Sequence, residues 1–434
     1  MNDIRNLAHR SLRMFSFQNG ILQTLNKATR LNGDPKIQSF GIMAGDTTRL
    51  GGARYGGRSS GCAFDTYNAY MSTVGETIER YCPSLFKVEN MVKSSYVARD
   101  FDAVPPSAFS LFHAKQYSFF QNQGKQVIPF DENTSVYWDK CYDLTSGMDK
   151  FCPSTFIYLP WLKDKRPIFY GVSTGLAAHG NFHKAVLTAL YEVIERDSFV
   201  LTWFQKIVPP KIYLTTEIKQ YIKQNFPTDY EWHFFNITYD LEIPTIFGIC
   251  TGESNYGPFI AVGTATRSTL GEAIKKTIQE IAQTIPYFRY ILAKNKEWCP
   301  SDNFNEIIDF EQHSMFYVKR KDLQHVFDPW LEARPTFFVD INQTSIRNVK
   351  EEIKHITNIL KKHSYNVLLK DLTTSDAIQS GMFCVRIIVP QLLQMTGAYQ
   401  YYPLGGKRLY EVPLKMGYQA NDFEHLNKYP HPFP

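Results

Sequence analysis

Residues 173–197 read STGLAAHGNFHKAVLTALYEVIERD, and this stretch predicts a long amphipathic helix that carries acidic side chains. Its apolar residues recur at the spacing of a helix and form one stripe that faces a core. Asn181 precedes that stripe and is suited to cap the start of the helix. Glu192 and Glu195 lie away from the stripe and three positions apart, so they share a face and can hold the same ligand.

The acidic pattern of this helix returns at two other places. Residues 76–80 read ETIER and residues 192–196 read EVIER, while a looser relative, QEIAQ, occupies residues 279–283. Each copy lies beside an apolar stripe, so three predicted helices each present a pair of Glu side chains or Glu with Gln. For a single copy, the alternative is a solvated helix face with a Glu-to-Arg pair four residues apart. The repetition favours one shared site.

The recurring carboxylates suit a magnesium-bound nucleotide. ATP carries several negative charges, which metal ions must neutralise before a nucleophile can approach. Magnesium prefers oxygen ligands and usually takes only one or two carboxylates per ion, so three such helices can hold two ions. The neighbouring guanidinium groups can bind phosphate oxygens or fix the carboxylates. The candidate magnesium ligands are Glu76, Glu79, Glu192, Glu195 and Glu280, and the candidate ATP-binding residues are these five with Gln283, Arg80 and Arg196.

The remaining patterns predict an α+β fold with mixed and antiparallel sheets. Helices are predicted at 66–82, from about 176 to 204, at 270–285 with an end at Pro286, and at 346–362; strands are predicted within 36–66, 84–165, 166–175, 230–266, 335–342, 365–372 and 383–390. We expect an N-terminal segment at 1–35 and one catalytic domain at 36–434, within which residues 84–165 form a subregion rich in Pro and aromatic residues.

The composition of the chain argues against nucleic-acid-binding, secreted and membrane-spanning proteins. The 434 residues carry a formal net charge of +5 without a long run of Lys or Arg, which fits an anionic ligand and argues against a nucleic-acid arm. The seven cysteines are scattered, with no C-x-x-C pair, which favours a reducing compartment. No signal peptide and no long apolar run is evident, so we expect a cytoplasmic protein that does not enter the membrane.

Several of these segments resemble the YcaO family. Residues 59–81 resemble its first core motif, in which Ser72, Glu76, Glu79 and Arg80 match residue by residue; residues 173–197 resemble the second, and residues 263–283 the third, where Glu280 and Gln283 match. The chain ends in KYPHPFP, with Pro430, Pro432 and Pro434 at alternate positions, and azoline-forming members of the family end in such a tail. Alternating prolines favour an extended polyproline conformation that loses little entropy on docking.

The resemblance implies a YcaO-type fold with repeated ATP-binding helices and the activity of a stand-alone cyclodehydratase. Such an enzyme uses ATP and Mg²⁺ to convert Cys, Ser or Thr residues of a ribosomally made precursor peptide into thiazoline or oxazoline by phosphorylation of the peptide amide oxygen. Ser72, Arg80 and Arg196 would bind phosphate, and the prolines of the tail would organise the site. Because the chain begins close to the YcaO region, we expect a separate partner of the ubiquitin-activating (E1-like) type that delivers the peptide. A flavin dehydrogenase and a second copy of the chain, in a homodimer, are further expected partners.

Three alternatives remain open at this stage. The first is another YcaO reaction on a backbone amide, namely thioamide or amidine formation, against which the proline tail argues. The second is a non-catalytic accessory protein that binds nucleotide, against which the intact carboxylates on three helices argue. The third is a basic RNA-binding module, for which only the mild positive charge speaks.

Overall fold

The computed structural model describes residues 2–55 and 57–433. Its helices, in chain order, are α1 (Asn2–Ser11), α2 (Thr66–Tyr81), α3 (Ala114–Asn122), α4 (Phe182–Phe204), α5 (Thr216–Asn225), α6 (Leu270–Lys294), α7 (Phe310–Lys319), α8 (Asp328–Leu331), α9 (Val349–Lys362), α10 (Ser375–Gln379) and α11 (Lys407–Lys415). Its strands are β1 (Leu22–Lys27), β2 (Gln38–Ala44), β3 (Arg58–Ala63), β4 (Val92–Ser94), β5 (Val136–Asp143), β6 (Met148–Pro153), β7 (Leu176–His179), β8 (Lys211–Ile212), β9 (Glu231–Asn236), β10 (Thr245–Ser254), β11 (Gly257–Thr266), β12 (Pro335–Phe337), β13 (Leu368–Asp371) and β14 (Phe383–Ile388).

The described strands form three sheets. One has the order β1-β2-β3, a second the order β11-β10-β9-β8-β12, and a third the order β4-β5-β13-β14-β7 with β6 paired to β5. Neighbouring strands run antiparallel in the first and third sheets, whereas β8 and β12 of the second are parallel. Helices packed on mixed and antiparallel sheets confirm the predicted α+β class.

The three helices that carry the acidic pattern begin at side-chain caps that satisfy first-turn N–H groups. Asp65 caps α2, Asn181 caps α4 and Thr269 caps α6, each accepting a hydrogen bond from a backbone N–H of the first turn. The predictions that the first helix stops before Pro83 and that the second reaches residue 204 are confirmed. The second helix does not start near residue 176 as predicted, because residues 176–179 pair as β7 with β14. The local sequence therefore marks where these three helices begin.

The helix α6 is longer than the sequence predicts. It was expected to end at Pro286, but it continues through this proline to Lys294. A proline inside a helix costs about 3 kcal/mol, because it removes one hydrogen bond and crowds the preceding turn. Phe288 and Ile291 lie beyond it and are buried in the core, which contributes roughly 1.5–3 kcal/mol for each such side chain. Tertiary packing thus overrides the local signal.

Two of the predicted strands differ from those in the structure. Residues 166–175 do not form the predicted strand, since their backbone is irregular and the next strand begins at Leu176. The predicted strand at 335–342 is confined to β12. Within the N-terminal segment, β1 was not predicted; it pairs with β2, so residues on both sides of position 35 share one sheet.

The helices that carry the acidic pattern are held next to two strands. The helix α2 covers one face of the β1-β2-β3 sheet and also contacts β7, while α6 packs on β10 and β11. The helix α4 lies between them, in contact with β7 and β14 on one side and with β11 on the other. As a result, β7 and β11 lie where the three helices approach one another.

The described part of the chain contains no helix that is both long and apolar enough to cross a lipid bilayer. All seven cysteines are free thiols, and only Cys299 is exposed.

Candidate active site

The carboxylates of α2 and α4 are anchored to backbone N–H groups at the strand between them. Glu79 Oε1 accepts a hydrogen bond of 2.9 Å from the N–H of Ala178 on β7. Glu192 Oε2 accepts one of 3.2 Å from the N–H of Gly175, just before β7. The two helices therefore bring their acidic residues to the same strand, as the shared-site prediction requires.

Gly175 can hold this position because it lacks a side chain. Its φ of +84° lies in the left-handed region, and an added Cβ would lie 2.1 Å from the carbonyl oxygen of Ile387. Gly175→Ala is expected to lower the free energy of unfolding by about 3 kcal/mol, from left-handed strain plus overpacking. Urea unfolding would measure the change. Gly124→Ala is the matched control, because Gly124 has a φ of +65° and open space around its Cβ position.

The control isolates the cost of the backbone conformation, which is about 1–2 kcal/mol. Equal losses in the two variants would contradict the close approach at Gly175.

The first group of acidic side chains consists of Glu76, Glu79 and Glu192 with the guanidinium of Arg80. Arg80 Nη2 lies 2.6 Å from Glu76 Oε1. Burial, together with the negative charges of Glu76 and Glu192, raises the pKa of Glu79 well above its usual value. Burial also raises the pKa of Glu192, although Arg196 and Arg80 act in the opposite direction. These carboxylates are held in an environment that favours an additional cation.

The second group consists of Glu195 and Glu280 with the surrounding cations. Glu195 accepts hydrogen bonds from Thr264 Oγ1 at 2.9 Å and from the N–H of Thr266 at 3.2 Å, both on β11. Burial raises the pKa of Glu195 to about 7. Burial by itself would also raise the pKa of Glu280. The net shift is downward, because Glu280 forms a salt bridge with Lys276 and also feels the positive charges of Arg267 and Arg196.

The two groups together fit a site with more than one metal ion. In the described residues, no three His, Cys, Asp or Glu side chains are arranged to hold a metal ion by themselves. Magnesium usually takes only one or two carboxylates and completes its octahedron with water and phosphate oxygens, which agrees with two groups of few carboxylates each. Glu79 with Glu192, and Glu195 with Glu280, are the pairs that would hold it.

Three guanidinium groups beside these carboxylates have N–H donors without a partner. Buried Arg80 Nη1, Arg196 Nε, and both Nε and Nη1 of Arg386 find no acceptor among the described residues. A buried, unpaired donor costs about 1–3 kcal/mol, more if it is charged, so such groups need a functional explanation. Phosphate oxygens are suitable acceptors, since arginine binds them with a planar pair of donors. The residues present therefore fit a bound nucleotide.

Arg386 was not identified from the sequence. It lies on β14, wholly buried, and donates to the carbonyl of Val172 at 2.7 Å. Burial lowers its pKa to about 10, and the charge of Glu192 only partly opposes that effect. A lone arginine among the apolar residues FCVRII was the available signal, because a charged residue inside a buried strand is rare unless it is paired.

The remaining predicted nucleotide residues occupy different environments. Gln283 lies on α6 one turn after Glu280, and its Oε1 accepts a hydrogen bond of 2.9 Å from Cys62 Sγ. Ser72 lies one turn before Glu76 on α2 and is exposed to solvent. Arg267, another residue missed from the sequence, contributes positive charge that lowers the pKa values of Glu195 and Glu280.

The C-terminal tail is packed inside the protein next to Arg196. Pro430 accepts a hydrogen bond of 2.7 Å from the hydroxyl of Tyr317, and residues 430–433 are buried. The ring of Phe433 lies under the Arg196 guanidinium, whose carbon is 4.2 Å from the ring centre. Pro432 lies between these anchors, whereas Pro434 lies outside the described residues. The tail therefore contacts a guanidinium of the candidate site directly.

A stacked pair of histidines holds the tail, and it predicts a dependence of stability on pH. The rings of His313 and His431 lie 3.8 Å apart and are wholly buried. Burial lowers the pKa of His313 to about 3 and that of His431 well below its usual value. A histidine whose pKa is depressed by folding contributes stability above the unfolded pKa of about 6.5, and this stability is lost as pH falls.

Each of these two histidines is expected to lower the free energy of unfolding by about 2 kcal/mol between pH 7.5 and pH 5, because the unfolded chain gains the proton. Urea unfolding at the two pH values is the measurement. In His313→Gln, whose side chain does not titrate, the change in the free energy of unfolding between the two pH values should differ from that of the parent chain by about 2 kcal/mol, the contribution of one histidine. An unchanged difference would contradict the assignment to this pair.

Comparison with known proteins places these features in a family. The profile described as YcaO cyclodehydratase, ATP- and Mg²⁺-binding, matches residues 60–393. A search of curated proteins found no match.

Solved structures share the fold. A heterocyclase in complex with substrate and cofactor is 19% identical with a TM-score of 0.77, and the alignment covers 98% of this chain and 57% of that chain. The structure of YcaO from Methanopyrus kandleri bound with AMPPCP and Mg²⁺ is 16% identical, with a TM-score of 0.61 and 90% of each chain covered. The E. coli microcin synthetase McbBCD complex is 18% identical with a TM-score of 0.60, and 87% of this chain and 90% of that chain are covered.

The chain spans 57% of the length of that heterocyclase and 50% of the length of the heterocyclase TruD. At these identities the solved structures establish a common fold. The family profile matches more than half of the chain and spans all three helices that carry the acidic pattern. The chain therefore belongs to the YcaO family of ATP- and Mg²⁺-binding cyclodehydratases.

Proposed function

We propose that this protein is an ATP-dependent peptide cyclodehydratase that forms thiazoline or oxazoline rings from Cys, Ser or Thr residues of a ribosomally made precursor peptide. The observation that carries the proposal is the meeting of carboxylates of raised pKa with unpartnered guanidinium donors where α2, α4 and α6 converge. Such a combination of raised carboxyl pKa values and several unpartnered guanidinium donors in one place suits a metal-bound triphosphate.

In the proposed reaction, the peptide's own thiol or hydroxyl attacks the preceding carbonyl carbon, the amide oxygen receives the γ-phosphoryl group of ATP, and phosphate leaves with that oxygen. The net products are ADP, phosphate and a peptide that has lost one water per ring. Bound magnesium would supply charge neutralisation on the phosphates.

The chain's own residues would position the metal-bound nucleotide and stabilise the negative charge on its phosphates. Glu79, Glu192, Glu195 and Glu280 would hold the metal, and Gln283 would help to orient the nucleotide. Arg80, Arg196 and Arg386 would donate to phosphate oxygens, and Phe433 would keep the Arg196 guanidinium in place through their cation–π contact. Preorganised donors of this kind stabilise developing charge in the transition state.

The scheme requires no nucleophile from the enzyme. Burial raises the pKa of the Cys62 thiol, the cysteine nearest to Gln283, to about 12, so that thiol is held protonated. A reaction in which the substrate supplies the attacking atom is consistent with this arrangement.

We also propose the partners of the reaction. A separate E1-like protein would bind the leader of the precursor peptide and deliver it, a flavin dehydrogenase would oxidise the rings to azoles, and the enzyme would act as a homodimer in the cytoplasm. The free thiols agree with a reducing compartment. A pull-down from the native host, followed by mass spectrometry and light scattering of the recovered complex, tests these assignments.

The reaction is tested with the purified chain, a leader-binding partner, Mg²⁺, ATP and a small Cys/Ser/Thr-rich precursor peptide. We expect the peptide to lose the mass of one water per ring, with one phosphate released for each ring formed. A gain in mass, as in thioamide formation, would replace the proposal with another amide-activating reaction. Nucleotide binding without peptide-dependent phosphate release would instead indicate an accessory protein.

A further inference from the structure

A large groove opens beside the candidate active site, between the β1-β2-β3 sheet and α6. It has a volume of about 880 Å³, within the range of sites that bind small molecules or short peptide segments. One wall is formed by β2 and β3, the opposite wall by the second half of α6, and one end by the start of α7. The helix extension beyond Pro286 thus supplies most of one wall of this groove.

The sheet presents a free face to the groove. Side chains of β3 alternate between two faces: an added Cβ at Gly61 would meet the backbone of Thr73 on α2, whereas Ser60 lies on the groove side. Arg58 is also on the groove side, with its guanidinium carbon 5.2 Å from the ring centre of Tyr290 on α6. Since α2 covers only the other face of the sheet, this face is open to a ligand.

The inner end of the groove reaches the candidate active site. Gln283 lines the groove and also accepts the hydrogen bond from Cys62, one turn from Glu280. Phe310 lines the groove and lies 5.9 Å from the guanidinium carbon of Arg196. A ligand that lies in the groove would therefore end beside two of the three helices that form the site.

Two of the three cations that line the groove are paired with carboxylates. Arg289 is paired with Asp34 at 2.5 Å, and Lys294 is paired with Glu311 at 2.9 Å. Between these pairs lie apolar and aromatic surfaces, including Tyr290. Among the described residues, the third cation lies against Tyr290 without a carboxylate partner, and one such cation is too few to neutralise the phosphates of ATP. This lining is therefore less suited to ATP than the site beside it. It suits an uncharged, extended chain whose peptide groups can stack on aromatic rings and hydrogen-bond to polar side chains.

We propose that this groove binds the uncharged segment of the substrate peptide that flanks the residue to be cyclised, and so guides that residue to the site. The inference rests on the proposed function, because it assigns the substrate class to the surface that adjoins the nucleotide site. Ser60 and Ala293, on the two walls of the groove, are the positions at which a large side chain would block the peptide.

The test uses two probes with the full chain. Calorimetric titration with a non-hydrolysable ATP analogue and Mg²⁺ reports the nucleotide site. Fluorescence anisotropy with a labelled decapeptide of glycine, serine and cysteine, and with a second in which aspartate replaces the serines, reports the groove. We expect the neutral peptide to bind at least about tenfold more tightly than the acidic peptide. Ser60→Trp and Ala293→Trp should each weaken neutral-peptide binding by about tenfold or more while analogue affinity stays within about twofold.

Ser107→Trp is the control, because Ser107 is exposed and distant in sequence from both walls. It should bind both probes as the parent chain does, and circular dichroism verifies that each variant is folded. Absence of neutral-peptide binding to the parent chain, preference for the acidic peptide, or unchanged binding in both groove variants would overturn the inference. Failure to bind the ATP analogue would count against the proposed function alone, since the peptide titration is made without nucleotide.

Discussion

Glu192→Gln is expected to lower peptide-dependent ATP turnover by a factor of about 100–1,000, which is typical of removing one preorganised charged group from an active site. The substituted amide can still accept the hydrogen bond from Gly175, so the local backbone stays in place while the negative charge is lost. Burial raises the pKa of Glu192, which means that folding disfavours its charged form. Replacing this carboxylate by a neutral amide should therefore leave the free energy of unfolding unchanged or slightly higher. Steady-state phosphate release and urea unfolding are the two measurements.

Glu411→Gln provides the matched control. Glu411 pairs with Lys415 four residues later, as Glu192 does with Arg196, but its side chain is exposed on α11. Turnover in the control should equal that of the parent chain. The equivalent change Glu195→Gln should behave as Glu192→Gln does, and normal turnover in both variants would reject the proposed site.

Arg386→Met is expected to reduce turnover by about 100-fold and yet raise the free energy of unfolding by about 1 kcal/mol. The gain in stability follows because two donors of this buried guanidinium have no partner in the described structure, so folding leaves them desolvated and uncompensated. Methionine fills a similar volume without a charge, at the cost of the hydrogen bond to Val172. Opposite changes in activity and stability are typical of a residue retained for function.

Arg408→Met is the informative comparison, since Arg408 is also buried but fully paired. Its guanidinium lies 2.6 Å from Asp197 and 2.8 Å from Asp240. Breaking such a buried pair leaves uncompensated carboxylates and should cost about 3–5 kcal/mol. If Arg386→Met destabilised the chain as much as Arg408→Met does, Arg386 would be a structural residue and its assignment to the nucleotide would be wrong.

The sequence predicted the carboxylate helices because each of them is specified locally. The caps Asp65 and Asn181 and the apolar stripes set where α2 and α4 begin and which face is buried. Glu76, Glu79, Glu192 and Glu195 could be recognised for the same reason, since a pattern repeated within five residues needs no knowledge of distant neighbours. The YcaO family followed from these motifs and is confirmed by the family profile.

Local patterns were least reliable where packing between distant segments decides the outcome. The helix α6 continues past Pro286 because the residues after this proline are buried in the core. The strand β1 forms because it pairs with β2. Neither effect has a signature within a few residues of sequence.

By itself, then, the amino-acid sequence determined that α2, α4, α6 and α9 form, and that pairs of Glu, or of Glu with Gln, recur beside the apolar stripes of the first three. Only the tertiary structure decided that β7 and β11 anchor these acids, that Arg386 and Arg267 join them, and that Phe433 from the end of the chain lies against Arg196. The physical reason is range. Helix propensity, capping and periodicity act over a few residues, whereas burial, which shifts the pKa values and leaves donors unpaired, depends on segments hundreds of positions apart.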